Sequence, residues 1–120
     1  MRIVLFGATG MVGQGVLREC LQAHDVTQVL TVGRSATGIR HPKLREVTTP
    51  DLHDLQSLEA ELQPYDACFF CLGVSVAGLT EAAYARLTYD LTLSAASTLV
   101  RLNPGMVFTY VSGAGTDSTE

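Results

Sequence analysis

The feature that most constrains this chain lies at its start, MRIVLFGATGMVGQG. An apolar run from Ile3 to Phe6 stops at Gly7, and Gly10 and Gly13 then recur at every third position. A strand that turns sharply into a helix calls for glycine at the turn, because glycine enters the left-handed backbone region without strain. Gly10 has no side chain, so a ligand can come close to the backbone there. Gly13 falls in the first helical turn, where a bare Cα lets the helix pack closely on the strand. The amides of that turn have no intrahelical partners, and the helix dipole is positive there, so a pyrophosphate suits the site. Each charge-assisted hydrogen bond in such a site contributes about 1.5–3 kcal/mol. The plainer reading is a tight turn with no ligand. The preceding strand, the following helix and the place at the head of an alternating chain favour the ligand.

The alternation continues to the end. Arg2 to Phe6 reads as a buried strand, and Met11 to Ala23 as a helix with Val12, Val16, Leu17, Cys20 and Leu21 on one face. Gln28 to Val32 is a second strand and Leu44 to Val47 a weak third. Leu55, Leu58 and Leu62 have helical spacing and predict a short helix before Pro64. Asp66 to Leu72 is a fourth strand, apolar on both faces. Thr80 to Leu102 predicts a long helix with Thr80 as N-cap, a stripe of Leu87, Leu91, Ala95 and Leu99, and a stop at Asn103-Pro104-Gly105. Met106 to Val111 is a fifth strand. Strands alternating with helices imply an α/β fold: a Rossmann-type, doubly wound parallel sheet in the order 3-2-1-4-5, with helices on both faces.

Composition narrows the partners. The 120 residues are 47% hydrophobic and 17% charged, as in a globular protein, and are read as a single domain over residues 1–120. A net charge of −4 argues against nucleic acid as a partner, since phosphate backbones need a basic face. The apolar runs are too short to span a membrane. Three cysteines with no secretory signal point to reduced thiols and a cytoplasmic protein. Cys68 and Cys71 spell C-x-x-C, but on a strand residues three apart point to opposite faces, so core packing is the better reading. His24, His41 and His53 fit no metal-ligand spacing.

The loop GATGMVG resembles the cofactor loop of the extended and atypical short-chain dehydrogenase/reductases, including their NmrA-like and epimerase-like members. The resemblance covers essentially the whole chain, but only the N-terminal half of a full member. It implies a dinucleotide with its pyrophosphate on Gly7, Gly10 and Gly13, beside Thr9, Met11 and Val12. Asp51-Leu52 resembles the family's pair beside the adenine, although Asp51 also reads as a helix N-cap. Cys71-Leu72-Gly73 resembles the segment that passes the nicotinamide ribose, and Ser75 is a weaker candidate for the same side. Tyr84 to Asp90 resembles the start of the long fourth helix, where many members carry Asn at the position of Thr88. Val111-Ser112-Gly113 resembles the end of the fifth strand, where the family places its catalytic serine. Ser112 would orient the substrate.

The identity of the dinucleotide turns on the end of the second strand. A sheet that binds NAD usually carries an acid there, about 20 residues past the glycines. The local sequence is TVGRS, with Arg34 and Ser35 and no acid. An arginine here pairs with a ribose 2′-phosphate in fork geometry, which predicts NADP(H) over NAD(H). Arg40 or Lys43 is a further candidate for that phosphate.

The resembled family also implies a Tyr-x-x-x-Lys pair, whose tyrosine gives the proton. None occurs here: Tyr65, Tyr84, Tyr89 and Tyr110 are followed four residues later by Phe69, Thr88, Leu93 and Ala114. In family members the pair lies on the next helix, so the chain reads as truncated after the fifth strand. Two readings stay open. One is the NADP(H)-binding domain of an oxidoreductase that moves hydride to or from a small carbonyl or alcohol. The other is a non-catalytic redox sensor that binds the same cofactor. The long helix and the fifth-strand edge favour self-association, with a homodimer as the simplest form.

Overall fold

The computed structural model describes residues 1–71 and 80–111. Five strands form one sheet: β1 (Arg2–Phe6), β2 (Gln28–Gly33), β3 (Leu44–Thr48), β4 (Ala67–Phe70) and β5 (Val107–Tyr110). Their order is β3-β2-β1-β4-β5 and every pair is parallel, as the alternation predicts. Among the described residues two helices flank it, α1 (Met11–Gln22) and α2 (Glu81–Leu102).

The pleat sorts the core into two layers. Val4, Phe6, Leu30, Val32, Cys68 and Phe70 face α2, where Leu91, Ala95 and Leu99 close the layer. Ile3, Leu5, Val29 and Ala67 face the other way and meet Leu17 and Cys20 of α1. β1 is therefore buried on both faces, which is why it reads as an unbroken apolar run. Cys68 lies in the α2 layer, whereas Cys71 packs against the α1 layer. The two thiols of C-x-x-C diverge, as strand geometry requires.

α2 begins where the sequence predicts. Thr80 Oγ1 accepts from the Ala83 amide at 3.1 Å, satisfying one of the orphan donors of the first turn. The apolar stripe is shorter than its spacing implies, because Leu87 is 41% exposed. At the far end Asn103 does more than stop the helix. Buried, it accepts from Tyr65 N at 2.8 Å and donates to the Leu62 and Leu99 carbonyls, each at 3.0 Å.

The crossovers are irregular, and one of them departs from expectation. Residues 34–43, between β2 and β3, contain no helix. Between β3 and β4 the expected helix is a single 3₁₀ turn, Gln56–Leu58. Leu55, Leu58 and Leu62 are all buried, so the spacing predicts burial correctly and the element wrongly. The turns close three residues back: Leu58 N donates to the Leu55 carbonyl and Glu61 N to the Leu58 carbonyl, each at 2.9 Å. Ahead of them, Asp51 Oδ1 accepts from His53 N at 2.9 Å and Asp54 Oδ1 from Gln56 N at 3.1 Å, in Asx turns. Asp51 is thus a turn former and not the N-cap of a helix. No helix among the described residues is long and apolar enough to cross a membrane.

Candidate functional site

Strand order reverses at β1, with β2 on one side and β4 on the other. Parallel sheets hold their ligands beyond the carboxyl ends of the strands at such a point. Here that end is the glycine turn. Gly7 has φ 82°, the left-handed conformation that glycine allows. Its carbonyl accepts from Gly10 N at 3.1 Å, which closes the turn. Gln14 Nε2 donates to the Thr9 carbonyl at 2.8 Å and braces the loop from the helix side.

The other two glycines have different reasons to be there. A Cβ on Gly13 would stand 1.8 Å from the Gly7 carbonyl oxygen and 3.0 Å from Ala8 Cα, so close packing excludes any side chain. A Cβ on Gly10 would meet only the Gly7 oxygen, at 3.6 Å. The fold tolerates a methyl group at Gly10, and the space it would fill lies open at the start of α1. Gly10 is the N-cap residue, with no side-chain cap and no acid in the first turn. Among the described residues, the amides of Met11, Val12 and Gly13 donate to no protein acceptor. Met11 is 91% exposed at this end. Uncapped amides, a helix N-terminus without acids and a Cβ-free approach fit an anionic dinucleotide.

Beside the turn lies a cleft of about 110 Å³. The structure brings Gly7, Thr9, Arg34, Ser35 and Leu52 together along it. Leu52, 7% exposed, packs into the α2 layer of the core and turns its remaining surface to the cleft. Ala8, Thr31, Val32, Gly33 and Thr37 also line the cleft and were not expected there. The two residues at the end of β2 could have been found from the rule that ligands meet strand ends. Thr37 carries no sequence signal, because its position depends on a loop that only the tertiary fold places.

A second, larger groove of about 640 Å³ shares Ala8, Thr9 and Thr37 with this cleft and runs along α1 past Arg18 to His41. It exists because the β2–β3 connection has no helix to cover that flank.

Other expected residues lie further out. Asp51 is exposed, outside the cleft lining, with its carboxylate on His53 N and 3.5 Å from His53 Nδ1. Cys71 N donates to the Phe6 carbonyl at 2.9 Å, which sets Cys71 beside the glycine turn. Burial, and then the nearby Cys20, pushes its thiol up, so at neutral pH it is protonated and a weak nucleophile. Lys43 Nζ donates to the Leu21 and Ala23 carbonyls at 3.3 and 2.9 Å, tying down the end of α1. It therefore belongs to that helix end and not to a phosphate site. Leu72, Gly73, Ser75 and Ser112 lie outside the described residues.

The comparisons agree with this fold. The sequence model of the NAD dependent epimerase/dehydratase family matches residues 3–116. A search of curated proteins finds no match. Among solved structures, the fold is similar to a mutant uronate dehydrogenase from Agrobacterium tumefaciens complexed with NAD. That pair is 21% identical with a TM-score of 0.70, covering 92% of this chain and 40% of the other. It is also similar to a short chain dehydrogenase family protein from Francisella tularensis, with 15% identity and a TM-score of 0.67, covering 91% and 49%. An oxidoreductase from Lactococcus lactis aligns at 16% identity and a TM-score of 0.60, covering 93% and 47%. The chain thus spans half or less of the length of these structures.

Proposed function

Because this chain belongs to the NAD dependent epimerase/dehydratase family, we propose that it is the dinucleotide-binding domain of an oxidoreductase and prefers NADP(H) to NAD(H). The observation that carries the preference is the cleft rim: Arg34 and Ser35 stand at the end of β2, where NAD-binding sheets usually place an acid. The Met11, Val12 and Gly13 amides would hold the pyrophosphate over Gly10. The Arg34 guanidinium, with the Ser35 hydroxyl, would meet the 2′-phosphate. Leu52 would pack on the adenine, with Asp51 accepting from its amino group. Cys71, Leu72 and Gly73 would border the nicotinamide ribose. The nicotinamide, when bound, supplies or takes up hydride, with a small carbonyl or alcohol as the partner. Ser112 would hold the substrate oxygen.

The test is calorimetric titration of the chain with NADP⁺ and, separately, NAD⁺, repeated on Arg34→Glu. The expected result is NADP⁺ binding at least about ten-fold tighter, or about 1.4 kcal/mol, with the preference lost or reversed in the variant. Equal affinity for the two, or unchanged NADP⁺ affinity in Arg34→Glu, overturns the assignment.

A second reading is a sensor that binds the same cofactor without turning it over. Oxidation of NADPH by a panel of aldehydes and ketones separates the two. The free thiols Cys20, Cys68 and Cys71 support a reducing, cytoplasmic setting. Exposed Tyr89 and Leu93 on α2, and Val107 and Tyr110 on β5, support self-association.

A further inference from the structure

The cleft rim bears on cofactor choice, yet the element that carries it has no helix to hold it. Parallel strands are ordinarily joined by a helix that packs on the sheet and fixes the connection. Residues 34–43 form an irregular loop instead. The first of these residues, Arg34 and Ser35, line the cleft, as does Thr37. A loop of this kind is free to move unless specific bonds hold it.

One side chain supplies such bonds. Glu46 stands on β3, opposite Thr31 of β2 in the strand register. Its Oε1 accepts from Thr37 N at 2.8 Å and from Thr31 Oγ1 at 3.2 Å. Thr31 is buried in the sheet, so the second bond ties the carboxylate to a rigid strand. The first extends that anchor to the loop. Thr37 Oγ1 in turn accepts from Ile39 N at 3.1 Å, which continues the ordering along the chain. Glu46 takes part in neither of the ion pairs found among the described residues. Its two partners there are neutral donors, one on the sheet and one on the loop.

We propose that Glu46 is a positioning residue for cofactor choice: by joining Thr31 to Thr37 it holds the Arg34–Thr37 rim in the shape that receives the 2′-phosphate. This rests on the dinucleotide reading above. Arg34 and Ser35 touch the phosphate that NADP⁺ has and NAD⁺ lacks, so loosening the rim weakens NADP⁺ selectively. The pyrophosphate turn, held by Gly7, Gly10 and Gln14, does not depend on Glu46. A purely structural role would weaken both dinucleotides alike.

The test is titration of wild type, Glu46→Ala, Glu46→Gln and Glu46→Asp with NADP⁺ and NAD⁺, together with hydrogen exchange at the Thr37 amide without ligand. Gln keeps an acceptor oxygen at the same reach. Asp keeps the charge and falls one methylene short. In Glu46→Ala, NADP⁺ binding should fall about ten-fold and NAD⁺ binding by less than about three-fold, the scale of one lost hydrogen bond. Thr37 exchange should speed up in parallel. Glu46→Gln should restore both readouts, and Glu46→Asp should resemble Glu46→Ala while folding as wild type does. Equal weakening of the two dinucleotides, an unchanged affinity ratio, or unchanged Thr37 exchange overturns the proposal. If wild type binds both dinucleotides but the ratio ignores Glu46, only this inference fails. If wild type binds neither, the dinucleotide reading fails and this inference falls with it.

Discussion

Gly10 caps α1 and Gly13 lies in its first turn, yet a methyl group meets different surroundings at each. At Gly13 the added carbon would overlap the Gly7 carbonyl at 1.8 Å, and both groups are backbone, so neither yields cheaply. Gly13→Ala should therefore lower stability by several kcal/mol, read as a drop in the thermal midpoint without ligand. At Gly10 the nearest atom is 3.6 Å away. Gly10→Ala should leave the midpoint nearly unchanged and weaken dinucleotide binding about ten-fold or more. The opposite pairing of outcomes would mean that the open space at the helix start holds nothing. Asn103 makes a separate prediction. Asn103→Ala strands the Tyr65 amide and the Leu62 carbonyl, while the Leu99 carbonyl keeps the residue-103 amide, at about 1–3 kcal/mol for an unsatisfied group, measurable by urea unfolding. Cys68 adds a pH dependence. Burial, and then Cys71, raises its thiol above the usual range in the folded state. The folded chain thus holds that proton longer than the unfolded chain does. Its contribution is complete below the unfolded value near pH ~8.5 and is lost as pH rises further. Stability should decline in that alkaline window, and less steeply in Cys68→Ala.

Among the elements, α1 and α2 follow their sequence patterns because each buries one apolar face on a sheet layer. α2 is defined by Leu91, Ala95 and Leu99, all buried, while Leu93 is exposed. Ala95→Leu should destabilise by about 1–3 kcal/mol through overpacking, whereas Leu93→Lys should stay within about 0.5 kcal/mol. Thermal unfolding of the two variants checks the orientation of the helix. The segment between β3 and β4 shows the limit of spacing as a guide. Leu55, Leu58 and Leu62 were spaced as on a helix and are buried as on a helix. Periodicity reports which side chains go inside. It does not report whether the backbone winds as an α-helix or closes in tighter turns, as it does from Leu55 to Leu62. The same blindness hides Glu46, whose value comes from lying across the sheet from Thr31 and beneath Thr37.

For the whole molecule, the two edges of the sheet differ in kind. β3 carries Arg45 and Glu46, the charge that edge strands use against unwanted pairing. β5, VFTY, carries none, and Val107 is 63% exposed. If the chain associates with itself through this edge, Val107→Lys should shift sedimentation toward the monomer at a concentration where wild type is larger. An unchanged distribution would place the contact elsewhere, with Tyr89 and Leu93 of α2 next to be tested.

The sequence by itself determined the layers and their order. Apolar runs of strand length, helical stripes and a glycine turn at the head of an alternating chain are local signals, and burial on parallel strands leaves few ways to arrange them. It also brought forward Gly7 through its glycine motif, Arg34 and Ser35 through their place at the end of the second strand, and Thr9 and Leu52 through a family resemblance. Only the tertiary structure decided how the crossovers run, that Lys43 ties the end of α1, that Asn103 joins the end of α2 to Tyr65, and that Glu46 holds the loop beside the cleft. Each depends on a polar group finding a partner far away in sequence. Hydrophobic burial is written in the spacing of residues along the chain, whereas a hydrogen bond across the fold exists only once the chain has folded to bring its two ends together.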